Sequence, residues 1–215
     1  IQIQDVVFKN HSGNPINAHG LDSCTFRRLR YEGFGEGLQL QFSKNCLMEH
    51  ITGLFNATPC GDGYELSHCY DTETRFIDIS GTGAGTAIDL FGVQNCLVES
   101  FRLHNFTGGG IDINTPNTGF TTSDVIIRNG IIENCNSHGV GTKGDTIGPV
   151  LIQNVTSNFN QRGFYFNADN DKGYVEKLRL VDCDASFNQI SGVTLHTIKN
   201  LAIEGGNFSF NTESG

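Results

Sequence analysis

Residues 95–114 read NCLVESFRLHNFTGGGIDIN. The stretch opens on a polar residue and an apolar pair, passes Asn105, and ends on three glycines followed by Ile111-Asp112-Ile113-Asn114. Apolar residues that alternate with others at period two mark a strand with one buried face. Two short strands joined through a turn account for the whole stretch. The rest of the chain repeats it.

Counterparts of the opening heptapeptide are DVVFKNH (5–11), SCTFRRL (23–29), NCLMEHI (45–51), ETRFIDI (73–79), DVIIRNG (124–130), PVLIQNV (149–155), KLRLVDC (177–183) and NLAIEGG (200–206). Successive starts lie 18 to 29 residues apart. The second run recurs as GLQLQ (37–41), GYELS (63–67), AIDLF (87–91), GVGTK (139–143), GFYFN (163–167) and GVTLH (192–196). A unit this short cannot bury its apolar face alone, so each must stack on its neighbours. The spacing predicts an all-β fold, a parallel β-helix solenoid of about nine coils forming a single domain over 1–215. No segment sustains a 3.6-residue period, so helix is minimal. Asparagine tolerates left-handed backbone and bonds its own turn, which predicts a stacked column of Asn105, Asn134, Asn160, Asn188 and Asn211.

The formal charge is −9 and no Lys/Arg run exists, which argues against nucleic acid as a partner. No apolar stretch is long enough to span a membrane as a helix. Ile1 begins directly in strand-like IQIQ, as in a processed form or a piece of a longer chain. Seven cysteines is an odd count without a paired CxxC metal pattern. Cys24, Cys46 and Cys96 share one repeat position among apolar neighbours and read as buried free thiols; Cys60 and Cys69 are the one pair suspected of bridging. Sequons at Asn10, Asn56, Asn105, Asn154 and Asn207 fit a secreted, cell-surface or virion-associated protein, although a chain rich in Asn, Thr and Ser produces sequons by chance.

In-register stacking turns each strand position into a column. Between the inward apolar pairs, the outward position reads Gln39, Glu65, Asp89, Asp112, Gly141, Tyr165, Thr194. The next outward position reads Gln41, Ser67, Phe91, Asn114, Lys143, Asn167, His196. Like charges stacked across strands are destabilising and must be offset by a proton, a cation or a counter-charge. A carboxyl kept protonated beside an ionised neighbour is what glycoside hydrolysis uses, so Glu65, Asp89 and Asp112 are the candidate catalytic residues. Phe91, Asn114, Lys143, Tyr165, Asn167 and His196 are the candidate substrate contacts, the aromatic rings being suited to stacking on sugars. Longer coils at 45–72, 95–123 and 149–176 would wall a groove along this face or cover its aromatics. An exposed acidic surface and a Ca²⁺ held by oxygen ligands are the competing readings of the same column.

The repeat resembles the right-handed parallel β-helix superfamily, the pectin-lyase-like fold of polysaccharide lyases, glycoside hydrolases, alginate epimerases and phage tailspikes. The resemblance covers nearly the whole chain. It implies a polysaccharide partner and, for the leading reading, hydrolysis with no cofactor; a uronate lyase or epimerase assisted by Ca²⁺ and by Lys143, His196 or His68 is the alternative. A non-catalytic glycan-binding spike or adhesin, such as a homotrimer, is the third reading. Added subunits or chain segments would cap the ends of the stack. Asp62, Gly63, Tyr64 and Glu65 are similar to the DG-aromatic-acid segment of alginate epimerases, but Leu66 replaces its proline, Ser67 stands at its histidine, and His68 falls one residue late. HGVGTKGD (138–145) is similar to the GHG region of polygalacturonases, whose paired aspartates and RIK motif are missing; His138 reads as a turn histidine.

Overall fold

The computed structural model describes residues 1–10, 13–56, 61–82, 85–116, 120–167 and 173–212. Its strands run in chain order β1 (Gln2–Lys9), β2 (Ile16–His19), β3 (Thr25–Phe34), β4 (Leu38–Gln41), β5 (Leu47–Phe55) and β6 (Tyr64–Ser67). There follow β7 (Tyr70–Gly81), β8 (Ile88–Phe91), β9 (Gln94–His104), β10 (Ile111–Thr115), β11 (Ser123–Glu133) and β12 (His138–Gly144). The chain continues through β13 (Ile147–Asn158), β14 (Arg162–Phe166), β15 (Val175–Val181), β16 (Ser191–Leu195) and β17 (Leu201–Glu204). Odd-numbered strands form one parallel sheet of nine and even-numbered strands a second of eight, each in chain order. The chain is therefore a parallel β-solenoid, with no helix among the described residues.

Each repeat anchor read from the sequence lies at a strand of the nine-stranded sheet, and each glycine-led run is a strand of the other. One strand went unread: β2, whose Ile16 follows Pro15 instead of a glycine or small residue. The inward pairs are buried, among them Leu38 and Leu40, Ile88 and Leu90, Ile111 and Ile113, and Phe164 and Phe166, all at 1% exposure or less. Val193 and Leu195 are only partly buried, because β16 is the last strand of its sheet. Cys24, Cys46, Cys69 and Cys96 are free and buried, and burial pushes the Cys96 thiol up to about 12. The suspected partner Cys60 lies outside the described residues.

The long strands hold a feature that alternation did not reveal. Asp5, Arg28, His50, Phe76, Ser100, Asn129 and Asn154 all have φ between 50° and 59° and stack in one column. One left-handed residue shifts the phase of the alternation: Thr74 and Ile77 point inward while Arg75 and Phe76 between them face out. This divides the nine-stranded sheet lengthwise into two faces. Side chains at this bend are tied rung to rung, since non-glycine residues rarely adopt the conformation. Arg28 Nη2 donates to Asp5 Oδ2 (2.7 Å), the rings of His50 and Phe76 stack at 4.7 Å, and Asn154 Nδ2 donates to Asn129 Oδ1 (2.9 Å).

The asparagine column divides in two. Asn160, Asn188 and Asn211 form a ladder: Asn188 Oδ1 accepts from Asn160 N (3.0 Å), and Asn211 Oδ1 accepts from Asn188 N (2.9 Å). Asn105 and Asn134 sit one position earlier, in a left-handed column continued by Phe159 and Phe187. The expected single column fails because that corner uses two successive residues, one bent outward and one bonded inward.

Candidate active site

The eight-stranded sheet carries the outward column in direct register: Asn17, Gln39, Glu65, Asp89, Asp112, Gly141, Tyr165 and Thr194. Three carboxylates thus occupy consecutive rungs, β6, β8 and β10, at the ~4.8 Å spacing of neighbouring strands. Beside them run Gln41, Ser67, Phe91, Asn114 and Lys143, also in register. The other sheet handles charge differently. There Arg27, Glu49, Arg75, Glu99 and Arg128 alternate in sign along one column. Arg128 Nε donates to Glu99 Oε1 at 2.7 Å, and Arg27 pairs with Glu49.

Asp112 is 7% exposed and fully engaged. Its Oδ2 accepts from Thr86 Oγ1 (2.9 Å), and its Oδ1 meets Nε2 of His138. Thr86 also donates its backbone N–H to Asp62 Oδ1 (2.9 Å), bringing a fourth carboxylate to the site. His138 is 8% exposed, and its Nδ1 contacts Ser137 Oγ at 3.0 Å. The histidine read as a turn residue is therefore the partner of a column carboxylate. Its ring fills space left by two glycines: a Cβ on Gly109 or Gly141 would lie 2.6 or 2.5 Å from the imidazole. Gly141 interrupts the column because the His138 ring needs that space.

Environment sets the carboxyl groups apart. Burial pushes Asp89 up to about 8, aided by the charges of Asp62, Asp112 and Glu65 and opposed by the hydrogen bond from Asn114 Nδ2 (2.6 Å). Glu65 is also raised, by burial first, although Gln39 Nε2 donates to it at 2.6 Å. Asp62 is raised by burial against its bond from Thr86. Asp112 moves the other way. Burial pushes it up, but the bond and charge of His138, then Thr86 and Lys143, outweigh burial and hold it below the usual carboxylate range. At neutral pH a protonated carboxyl stands next to an ionised one.

The candidate substrate contacts are spread along the same face. Lys143 is exposed, and Asn114 directs its amide at Asp89. Asn167 Nδ2 donates to the Tyr165 hydroxyl (3.0 Å), and the Tyr165 ring lies 6.1 Å from His138. Phe91 meets His68 edge-on at 5.5 Å. His68 itself occupies a left-handed corner (φ 55°), stacked on Phe42 at 4.6 Å and away from the carboxylate column. His196 follows β16, three strands beyond Asp112. Among the described residues, no group of three His, Cys, Asp or Glu side chains is spaced to hold a metal ion. Asp62, Thr86 and His138 were not among the expected site residues: Asp62 and Thr86 lie in corners, and His138 opens β12 ahead of its apolar residues. The available signals were the segments GDGYELSH (61–68) and HGVGTKGD (138–145), which contain Asp62 and His138, and the glycine inside an otherwise polar column.

No protein-family model matches the chain, and no curated protein matches it. Among solved structures, a mutant tailspike protein of E. coli bacteriophage HK620 in complex with a hexasaccharide superposes with a TM-score of 0.65 at 9% identity, covering 86% of this chain and 38% of the tailspike. The mannuronan C-5 epimerase A-module of Azotobacter vinelandii gives a TM-score of 0.45 at 10% identity, over 90% of this chain and 65% of the module. The catalytic domain of a GH87 α-1,3-glucanase in complex with nigerose gives 0.45 at 10% identity, over 99% of this chain and 61% of that domain. The chain spans less than two thirds of each. It has the right-handed parallel β-helix fold, which it shares at low identity with the tailspike.

Proposed function

We propose that the protein hydrolyses glycosidic bonds of a polysaccharide at the Glu65–Asp89–Asp112 column. The observation that carries this reading is the contrast between the two sheets. One alternates Arg and Glu rung by rung, whereas the other stacks three acids and drives two of them to opposite protonation states. In this reading Asp89 is the general acid that passes its proton to the departing glycosidic oxygen. Asp112, held as the anion by His138, faces the positive charge that develops at the anomeric carbon. Glu65 and Asp62 add the negative field that keeps Asp89 protonated. Water supplies the hydroxyl that completes the cleavage and restores the proton. The hexasaccharide bound by the tailspike supports a glycan as the ligand class.

The test is incubation with a panel of neutral and acidic polysaccharides, followed by product analysis. Hydrolysis yields new reducing ends without ring unsaturation, and Asp89→Asn lowers the rate by about 10²–10⁴-fold, the usual contribution of a general acid. Unsaturated ends would instead identify a lyase. Binding without any cleavage would assign the face to recognition alone.

A further inference from the structure

Past Asp112 the same face changes character. On the next two rungs, β12 and β14, the acid position is taken by Gly141 and Tyr165, and the strands bring two cations beside it: Lys143, in register with Asn114, and Arg162, in register with His138. Among the described residues every arginine other than Arg162 meets a carboxylate. Arg162 instead lies over the Tyr165 ring, 5.0 Å from its centroid, with one hydrogen bond, from Nη1 to Gln161 Oε1 (2.9 Å). The Lys143 side chain is exposed and forms no hydrogen bond or ion pair among the described residues; it follows Thr142, stands in register with Asn114, and its charge reaches Asp62 and Asp112. Asn167 is fixed beside them, its backbone N–H bonded to Thr142 Oγ1 (3.0 Å) and its amide to the tyrosine hydroxyl.

We propose that Lys143, Arg162, Tyr165 and Asn167 form a subsite for an anionic substituent, a carboxylate or a phosphate, on a sugar unit neighbouring the one that is cleaved. This rests on reading the face as a glycan site. Stacking on Tyr165 holds the guanidinium plane in place while most of its donors remain unspent, and a planar fork suits an oxyanion. Lys143 supplies a second, mobile positive charge. The acidic rungs β6 to β10 repel a uniform polyanion, so the face selects a glycan whose charges are spaced apart. One end of the face takes a neutral unit and the other takes the charge.

Titration of the isotope-labelled full chain with methyl β-D-glucuronide, glucose 6-phosphate and methyl β-D-glucoside, read at the Arg162 Nε–H and Asn167 side-chain amide resonances, tests this. The expected result is a saturable shift with one or both anionic probes and none with the glucoside. K143Q and R162Q each weaken it roughly tenfold, and K143R retains it. A response to glucuronide alone identifies a carboxylate, and a response to the phosphate alone identifies a phosphate. An equal response to the neutral glucoside, no saturable response to either anion, or native-like binding by K143Q and R162Q would overturn the subsite. Asp89→Asn binds the probes as the native protein does, so loss of the hydrolytic reading leaves a different signature from loss of this one.

Discussion

His138 presents Nε2 to Oδ1 of Asp112 in a pair with both residues under 10% exposed. The pair lies one rung from Asp89, whose carboxyl is pushed up to about 8. One ring thus keeps Asp112 ionised, and the resulting charge helps to keep Asp89 protonated.

Activity is therefore expected to follow a bell in pH. The alkaline limb falls as Asp89 loses its proton near pH 8, and the acid limb falls below the ordinary carboxylate range, where Asp112 becomes protonated. A pH profile of kcat/KM measures both limbs.

Stability carries the same sign information. The folded Asp89 carboxyl titrates above its unfolded value of 3.8, so the folded state binds the extra proton and stability is lost as pH rises from about 4 to about 8. Asp112 is lowered and acts oppositely, losing its contribution as pH falls below the carboxylate range. Asp89→Asn is expected to flatten the loss between about pH 4 and 8, as read from urea midpoints across that window.

Gly141→Ala places a methyl group 2.5 Å from the His138 ring while leaving the strand otherwise intact. Overpacking of this kind costs about 1–3 kcal/mol. It displaces the ring from Asp112, so the acid limb of the pH profile moves upward, as it does in His138→Ala. An unchanged acid limb in both variants would show that the ring does not control Asp112.

The two asparagine positions are expected to behave differently. Asn188 is 1% exposed and donates Nδ2 to Ser157 O (3.0 Å) while accepting from Asn160 N. Asn188→Ala leaves buried groups unpaired and is expected to destabilise by about 2–4 kcal/mol in urea unfolding. Asn105 is exposed with φ at 66°, and Asn105→Ala loses the left-handed preference and one exposed contact, from Nδ2 to His104 Nδ1 (2.9 Å), about 1–2 kcal/mol in all.

The solenoid was legible in the sequence because apolar pairs such as Ile111 and Ile113 repeat with period two at regular intervals, and burial enforces that pattern in every coil. The acid column was legible for the same reason, since Glu65, Asp89 and Asp112 each lie between two such residues. The mid-strand bends were not: aspartate, arginine, histidine, phenylalanine, serine and asparagine all occupy one left-handed column, where contacts between rungs override residue preference. Asp62 and Thr86 escaped because corners, unlike strands, impose no fixed period on side-chain direction, and His138 because it opens β12, where the alternation begins. For His138 the sequence offered the HGVGTKGD segment and the space reserved for the ring at Gly109 and Gly141.

Neighbouring carboxyl groups of one column hold opposite protonation states at neutral pH. Carboxyl carbon NMR titration of the labelled protein, assigned with Asp89→Asn and Asp112→Asn, measures this directly. The expected result is Asp89 titrating near pH 8 and Asp112 below the ordinary carboxylate range. Both groups titrating together around pH 4 would show that the column does not separate their protonation states.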